Sequence, residues 1–93
     1  IVNTGRGALI RESALIAGLQ SGKIGAAALD VFETEPFCDK DNPLMGMENV
    51  ILTPHIAYHT EESEKEVMER ATDEAIAAAK GQPLSGAVSI KAS

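Results

Sequence analysis

Three ionisable side chains stand just after segments that have the character of short strands. Arg6 follows "IVN", Glu35 follows "IGAAALDVFET", and His55 follows "VILTP". An arginine can bind a carboxylate through two parallel hydrogen bonds, and a histidine can give or take a proton near neutral pH. A glutamate beside that histidine would orient the ring and favour its charged form. Each residue taken alone also has a simpler interpretation. Arg6 could be a solvated surface charge, Glu35 a loop residue and His55 part of a capped strand end.

The two glycines around Arg6 suggest a second interpretation, a loop that binds a dinucleotide diphosphate. Gly5 and Gly7 match the first two glycines of the pattern G-x-G-x-x-G/A, and Asp30 stands where it would imitate the ribose-binding acid. The third position is Ile10, although close packing of helix on strand there requires glycine or alanine. A guanidinium also occupies the tip of a turn that should present backbone N–H groups. The pattern therefore favours another role for Arg6.

The spacing of apolar residues and of chain-breaking residues predicts an α/β fold with a parallel sheet. Strands are predicted over residues 1–3, 24–31 and 50–53, a helix over 11–21 that Gly22 ends, and an irregular segment over 32–49. Ligands of an open α/β sheet bind beyond the carboxyl ends of its strands. Arg6, Glu35 and His55 are therefore predicted to face the same rim.

The last predicted helix has well-marked ends. Thr60 suits the N-cap, and glutamates in the first turn suit the positive end of the helix dipole. Lys80 and then Gly81 mark its end, and Val67, Ala71, Ala75 and Ala78 form one stripe along it. Three strands with open edges make a poor independent domain. We therefore expect the sheet to continue in sequence outside this chain or in a partner chain.

The composition excludes several classes of partner. Eight basic and fourteen acidic residues give a net charge of -6, so no basic patch for a nucleic acid is expected. No apolar run approaches the ~18 to 20 residues that span a bilayer. Cys38 is the only cysteine, which excludes an internal disulfide and favours a reducing, cytoplasmic compartment. One cysteine and two histidines without ligand spacing predict no metal site.

Three blocks of sequence, "VNTGRGALI", "SGKIGAAALDVFETEP" and "NPL…ENVILTPHIAYHT", closely resemble the D-isomer-specific 2-hydroxyacid dehydrogenases. They have the order and spacing of the later half of that family's NAD-binding domain, which implies part of a Rossmann-like, doubly wound parallel sheet with flanking helices. The resemblance assigns residues 1–59 to that domain, 60–81 to a crossover helix toward the substrate domain and 82–93 to a tail. The diphosphate loop would lie upstream, so we expect the isolated chain to be inactive and to bind little NADH.

The resemblance also implies a reaction, the exchange of a hydride between NAD and a 2-oxo or D-2-hydroxy acid of lactate-like type. Arg6 would bind the substrate carboxylate, His55 would be the acid–base group and Glu35 its carboxylate partner. Asp30 would accept a hydrogen bond from the nicotinamide carboxamide. The other implied cofactor positions are Thr4, Gly5 and Ala57, together with Arg6 and His55, and Tyr58 would face the substrate.

The same resemblance implies a homodimer and leaves one alternative function open. Transcriptional corepressors share this fold, keep the arginine, glutamate and histidine, and use NAD to control dimerisation. The family usually has an aspartate where this chain has Arg11. A cation at the start of a helix opposes the dipole and removes a cap, at a cost of about 1 kcal/mol. Glu33 is expected to face solvent or a loop partner, and His59 to be a surface residue.

Overall fold

The computed structural model describes residues 1–89. The main elements are strand β1 (Val2–Asn3), helix α1 (Glu12–Gln20), strand β2 (Ala27–Leu29), strand β3 (Val50–Leu52) and helix α2 (Glu61–Ala79). Two short 3-10 turns lie at Gly7–Leu9 and Pro43–Gly46. The chain forms two compact units, Ile1–Tyr58 and a second that begins at His59. The first unit contains the whole sheet.

The sheet is parallel, with the order β1-β2-β3. On β2, Ala28 pairs with Val2 of β1 on one side and with Ile51 of β3 on the other. The predicted α/β class, a partial Rossmann-like sheet with flanking helices, is confirmed. Because all three strands run the same way, their carboxyl ends lie along one edge of the sheet.

The prediction of a strand over residues 24–31 is wrong at its start. The backbone N–H of Ile24 donates to the carbonyl of Gly18 at 3.0 Å, so Ile24 belongs to the turn that ends α1. Gly22 has a positive φ of 75° there, as its predicted role as a helix terminator requires. The sheet ladder begins only where the N–H of Ala27 donates to Asn49 at 3.0 Å. Gly25 and Ala26 are exposed, so the apolar run begins before both the buried residues and β2.

The core of the first unit joins α1 to the sheet and to the irregular segment. Leu15 and Leu19 of α1 pack in one cluster with Leu29 of β2, with Phe32 and with Leu44 of the second 3-10 turn. Leu44 is 1% exposed. Burial of each such side chain contributes about 1.5–3 kcal/mol to the free energy of unfolding. The loop after β2 is thus tied to the core by both Phe32 and Leu44.

Helix α2 begins and ends as predicted. The Thr60 hydroxyl accepts the Ser63 N–H at 3.0 Å and the Ser63 hydroxyl accepts the Thr60 N–H at 3.2 Å, which forms a reciprocal cap. Gly81 has a φ of 67° after the C-cap. The predicted stripe of Val67 and three alanines is exposed in this unit. No helix within residues 1–89 is both long and apolar enough to cross a membrane.

The segment after α2 folds back onto a glutamate of the helix. Glu74 Oε1 accepts the N–H groups of Ser85 and Gly86 at 3.0 and 3.3 Å, and also bonds the Ser85 hydroxyl. These bonds, above all the one from the Ser85 hydroxyl, lower the pKa of Glu74. The last four residues of the predicted tail, 90–93, lie outside the described residues. The division of the chain at residues 59 and 81 stays a prediction.

Candidate active site

His55 and Glu35 form a hydrogen-bonded pair at the carboxyl edge of the sheet. His55 Nδ1 lies 2.7 Å from Glu35 Oε2, with 41% of the His55 side chain and 33% of the Glu35 side chain exposed. The other carboxylate oxygen, Oε1, accepts the Phe32 N–H at 3.0 Å. Each oxygen of Glu35 thus has a separate task, one fixing the carboxylate to its own loop and one orienting the imidazole. With Nδ1 engaged, Nε2 is the ring nitrogen that can exchange a proton with a substrate.

The charge on Glu35 is stabilised by its neighbours. The hydrogen bond from His55 is the largest cause that lowers the pKa of Glu35 below its ordinary value of 4.5, followed by the bond from the Phe32 N–H. The nearby positive charges of His55 and Arg6 lower this pKa further. The role of Arg6 beside the pair stays a prediction.

A buried aspartate holds the loop that carries His55. Asp30, 3% exposed, accepts the Thr53 hydroxyl at 2.6 Å and the N–H groups of Ile56 and Ala57 at 2.9 and 3.0 Å. These bonds, led by that from Thr53, lower the pKa of the Asp30 carboxyl. His55 has a φ of 57°, a left-handed conformation that costs a non-glycine residue about 1–3 kcal/mol unless its surroundings enforce it. Asp30 supplies that enforcement by binding the Thr53 side chain before the histidine and two backbone N–H groups after it.

The sequence did not suggest this role for Asp30. It predicted a carboxylate that faces the cofactor, and that assignment stays a prediction. An acidic residue at the end of a buried strand was the available signal, because such a carboxylate must find hydrogen-bond donors. The donors here come from a loop more than twenty residues away along the chain, which local patterns do not reveal.

Asn3 braces the loop that carries Arg6. The Asn3 amide oxygen accepts the Gly5 N–H at 3.1 Å, and its nitrogen donates to the Arg6 carbonyl at 2.9 Å. Arg6 Nη1 donates to the Gly5 carbonyl at 2.8 Å, and the side chain is exposed at the rim. This second missed residue had a recognisable signal, since an asparagine followed by Thr-Gly favours a side-chain-closed turn.

The geometry also answers the question of the two glycines. After Gly7 the chain forms a 3-10 turn, and α1 begins only at Glu12. A diphosphate loop would place an α-helix N-terminus directly after the glycines. A Cβ on Gly7 would lie 1.9 Å from the Phe32 carbonyl oxygen. Gly7 therefore permits a close approach between the loop of Arg6 and the loop of Glu35.

The remaining predicted cofactor and substrate positions lie around the same edge. Thr4, Gly5 and Ala57 are exposed. The Tyr58 ring, 64% exposed for the whole residue, stands edge-on to the His55 ring with 6.4 Å between centroids. Their roles toward cofactor and substrate stay predictions.

An apolar cavity of about 380 Å³ adjoins the histidine–glutamate pair. Its wall includes Phe32 and Phe37, whose rings stack with centroids 4.3 Å apart and an interplanar angle of 19°. The complete lining is Phe32, Glu35, Pro36, Phe37, Pro54 and His55. The pair is therefore bordered by an apolar surface on one side.

Three other polar residues take no part in the pair. Glu33 points to the start of α1, where its Oε1 accepts the Glu12 N–H at 3.0 Å, so its partner is a helix end. His59 forms an ion pair with Glu64 at 3.1 Å in the second unit. Cys38 is a free, exposed thiol. Residues 1–89 contain no group of three or more His, Cys, Asp or Glu side chains arranged to hold a metal.

Comparison with known proteins identifies the family to which this fold belongs. Residues 1–57 match the family described as "D-isomer specific 2-hydroxyacid dehydrogenase, NAD binding domain". The chain belongs to this family. The resemblance of the three sequence blocks is thereby confirmed. All three residues of the predicted set, Arg6, Glu35 and His55, lie within the matched range.

Individual relatives support the same assignment. Glyoxylate/hydroxypyruvate reductase B of Cronobacter sakazakii is 47% identical over 91 residues, which are 98% of this chain and 28% of the reductase. D-lactate dehydrogenase with NAD+ from Lactobacillus jensenii gives a TM-score of 0.76 at 34% identity, covering 96% of this chain and 30% of that one. The NADPH-dependent glyoxylate/hydroxypyruvate reductase from Sinorhizobium meliloti, in complex with NADP and sulfate, gives 0.77 at 32% identity, covering 94% and 27%. The chain spans less than a third of each of these proteins.

Proposed function

We propose that this chain is the acid–base part of a dehydrogenase that exchanges a hydride between NAD and a 2-oxo acid or D-2-hydroxy acid of lactate-like type. The observation that carries the proposal is the 2.7 Å contact between His55 Nδ1 and Glu35 Oε2 at the carboxyl edge of a parallel sheet. Family membership supports the same reaction class. The activity belongs to a longer polypeptide that includes these residues, because the relatives with this activity are longer.

Each side chain has a separate part in the proposed reaction. His55 Nε2 gives a proton to the carbonyl oxygen at C2 during reduction and takes it back during oxidation. Glu35 holds the ring by Nδ1 and stabilises its charged form, since the carboxylate stays ionised at neutral pH. Arg6 binds the carboxylate of the acid through its planar guanidinium and polarises the 2-oxo group.

The residues of this chain fit the nicotinamide end of a dinucleotide better than its diphosphate. The nicotinamide, when bound, supplies or accepts the hydride. Asp30 Oδ2 accepts one bond from Ala57, and a carboxylate oxygen can accept a second, as from a carboxamide. Thr4, Gly5 and Ala57 are exposed residues of the same loops. The 3-10 turn after Gly7 does not offer the helix N-terminus that a diphosphate requires.

We further propose NAD as the cofactor, a cytoplasmic location and a homodimer, as the family resemblance implies. The solved D-lactate dehydrogenase from Lactobacillus jensenii with NAD+ supports the first of these. The Sinorhizobium reductase was solved with NADP. The nicotinamide ring, which both cofactors share, is the part that these residues would face.

The first test concerns Glu35 and the pH. In the complete polypeptide, Glu35→Gln should shift the acidic or basic limb of the rate profile, because glutamine cannot stabilise a charged imidazole. Glu35 should also contribute to the free energy of unfolding. This contribution should be fully present above about pH 4.5 and be lost as the pH falls through the lowered pKa of Glu35. Urea unfolding of wild type and Glu35→Gln should therefore differ at neutral pH and converge in acid. Glu62→Gln, on exposed α2, is the control, and an equal effect from it would refute the assignment.

Arg6→Lys tests substrate recognition. Lysine keeps the charge but offers a point donor in place of a planar fork, so one charge-assisted hydrogen bond is lost. We expect kcat/KM for a 2-oxo acid to fall roughly 10- to 100-fold, with little change in the Kd of NADH measured by fluorescence. Arg11→Lys, at an exposed arginine of the same unit, is the matched control. If Arg6→Lys weakened NADH binding and spared kcat/KM, Arg6 would be a cofactor residue instead.

A further inference from the structure

Glu33 lies two residues before Glu35 and connects the same loop to helix α1. Its Oε1 accepts the N–H of Glu12, the first residue of α1, at 3.0 Å. The N-cap residue of that helix, Arg11, makes no side-chain capping bond. The negative charge that a helix N-terminus favours is thus supplied by the loop after β2. The predicted loss of a cap at Arg11 is offset by Glu33.

The connection continues from Glu12 into the core. Glu12 Oε1 accepts the Asn42 side-chain N–H at 2.7 Å, and the Asn42 amide oxygen accepts the Leu44 N–H at 2.9 Å. Leu44 is buried in the core cluster. Glu33 therefore binds to a helix end that is itself tied to the buried part of the unit, and it is a fixed point for an otherwise exposed loop.

The loop is also fixed on either side of its exposed residues, because Phe37 packs against the core cluster and stacks on Phe32. Phe32 is buried, and its N–H donates to Glu35 Oε1. Residues 33–36 are exposed and lie outside the helices and strands. The bond from Glu33 is thus a direct connection from this exposed stretch to α1.

We propose that Glu33 is a positioning residue, which holds the loop so that Glu35 stays within hydrogen-bond distance of His55. The inference rests on the proposed function of the pair. Without the bond to Glu12, the loop has more conformations, and the Glu35–His55 contact is made in fewer of them. Misplacing a catalytic group by about 1 Å can cost 10²-fold in rate. The simpler account is that Glu33 only caps α1. The two accounts predict different values of kcat when a substitution at Arg11 restores the cap.

The experiment uses the complete polypeptide with four variants. Glu33→Ala removes the bond, Glu33→Gln keeps an acceptor oxygen, and Arg11→Asp provides a cap from the N-cap residue itself. The fourth variant combines Glu33→Ala with Arg11→Asp. For each, Tm and the pH profile of kcat for 2-oxo acid reduction are measured, and KM is followed separately.

We expect Glu33→Ala to lower kcat about 10- to 100-fold and to move the acid limb to higher pH, because a loosened contact lets the pKa of Glu35 rise. Glu33→Gln should keep most of kcat. The double variant should regain Tm but not kcat or the acid limb, and Arg11→Asp alone should leave kcat unchanged. If the double variant regained wild-type kcat, or if Glu33→Ala left the acid limb in place, Glu33 would be only a helix cap.

A failure of this inference is distinguishable from a failure of the proposed function. His55→Gln is measured in parallel. If His55→Gln remains active, the acid–base assignment is wrong whatever Glu33 does. If His55→Gln is inactive while Glu33→Ala keeps the wild-type pH profile, only the role of Glu33 is refuted.

Discussion

His55→Gln should reduce the rate of 2-oxo acid reduction by about 10²- to 10⁴-fold, the usual contribution of a positioned general acid. Glutamine can hydrogen-bond to Glu35 but cannot deliver a proton at neutral pH. Because the nicotinamide site is proposed to lie beside the ring, the Kd of NADH should change far less than kcat. Steady-state kinetics in both reaction directions measures the effect, and oxidation should lose as much rate as reduction.

The backbone at His55 requires a second variant. Its φ of 57° is a conformation that histidine, asparagine and aspartate tolerate better than glutamine does. His55→Asn therefore separates the loss of the imidazole from any backbone effect. Both variants should reduce 2-oxo acids slowly. His55→Asn should be the more stable of the two, since Asp30 can still bind the N–H groups of Ile56 and Ala57.

His59 gives the matched control, because it is the second histidine of the chain and pairs with Glu64 outside the proposed site. His59→Gln should keep the wild-type rate. A His55→Gln protein that reduces 2-oxo acids normally would end the acid–base assignment. A wild-type protein that binds NADH tightly but turns over slowly would instead favour the corepressor-type function.

Features that depend on neighbouring residues were predictable from the sequence. Gly22 and Gly81 adopt the positive φ that ends a helix, and Thr60 caps α2. The order of strands and loops placed Glu35 and His55 on one edge because parallel strands must end on the same side. These inferences need only local chemistry and one rule of topology, and the structure confirms them.

Features that depend on distant residues were not predictable. The sequence did not indicate that Asp30 binds backbone groups of a distant loop. Glu33 was expected to face solvent or a loop partner, and it binds the first N–H of α1. A carboxylate gives no sign in the sequence of which donor it will meet. The strand over 24–31 was overpredicted because small apolar residues are compatible with an exposed turn, as Gly25 and Ala26 show.

Gly7→Ala should destabilise the protein by an amount at or above the upper end of roughly 1–3 kcal/mol, the usual cost of overpacking. The added Cβ would lie 1.9 Å from the Phe32 carbonyl oxygen, 2.1 Å from its carbon and 2.6 Å from the Glu33 nitrogen. These are backbone atoms, which cannot move aside as a flexible side chain can. Phe32 is also buried in the core, so the strain must displace either the Arg6 loop or the Glu35 loop.

Urea unfolding of the complete polypeptide measures this cost, and Gly25→Ala is its control, because a Cβ at Gly25 meets nothing within 4 Å. Equal stability of the two variants would show that the loops can separate without penalty.

In the complete polypeptide, Gly7→Ala should also lower kcat/KM under conditions where the protein is fully folded, since Arg6 and Glu35 stand on the two loops that the methyl group forces apart. A glycine that served a diphosphate would instead raise the Kd of NADH when substituted, with the acid–base rate intact. That result would make Gly7 a cofactor-binding residue. The close approach of Gly7 to Phe32 instead indicates that Gly7 keeps the loops of Arg6 and Glu35 together.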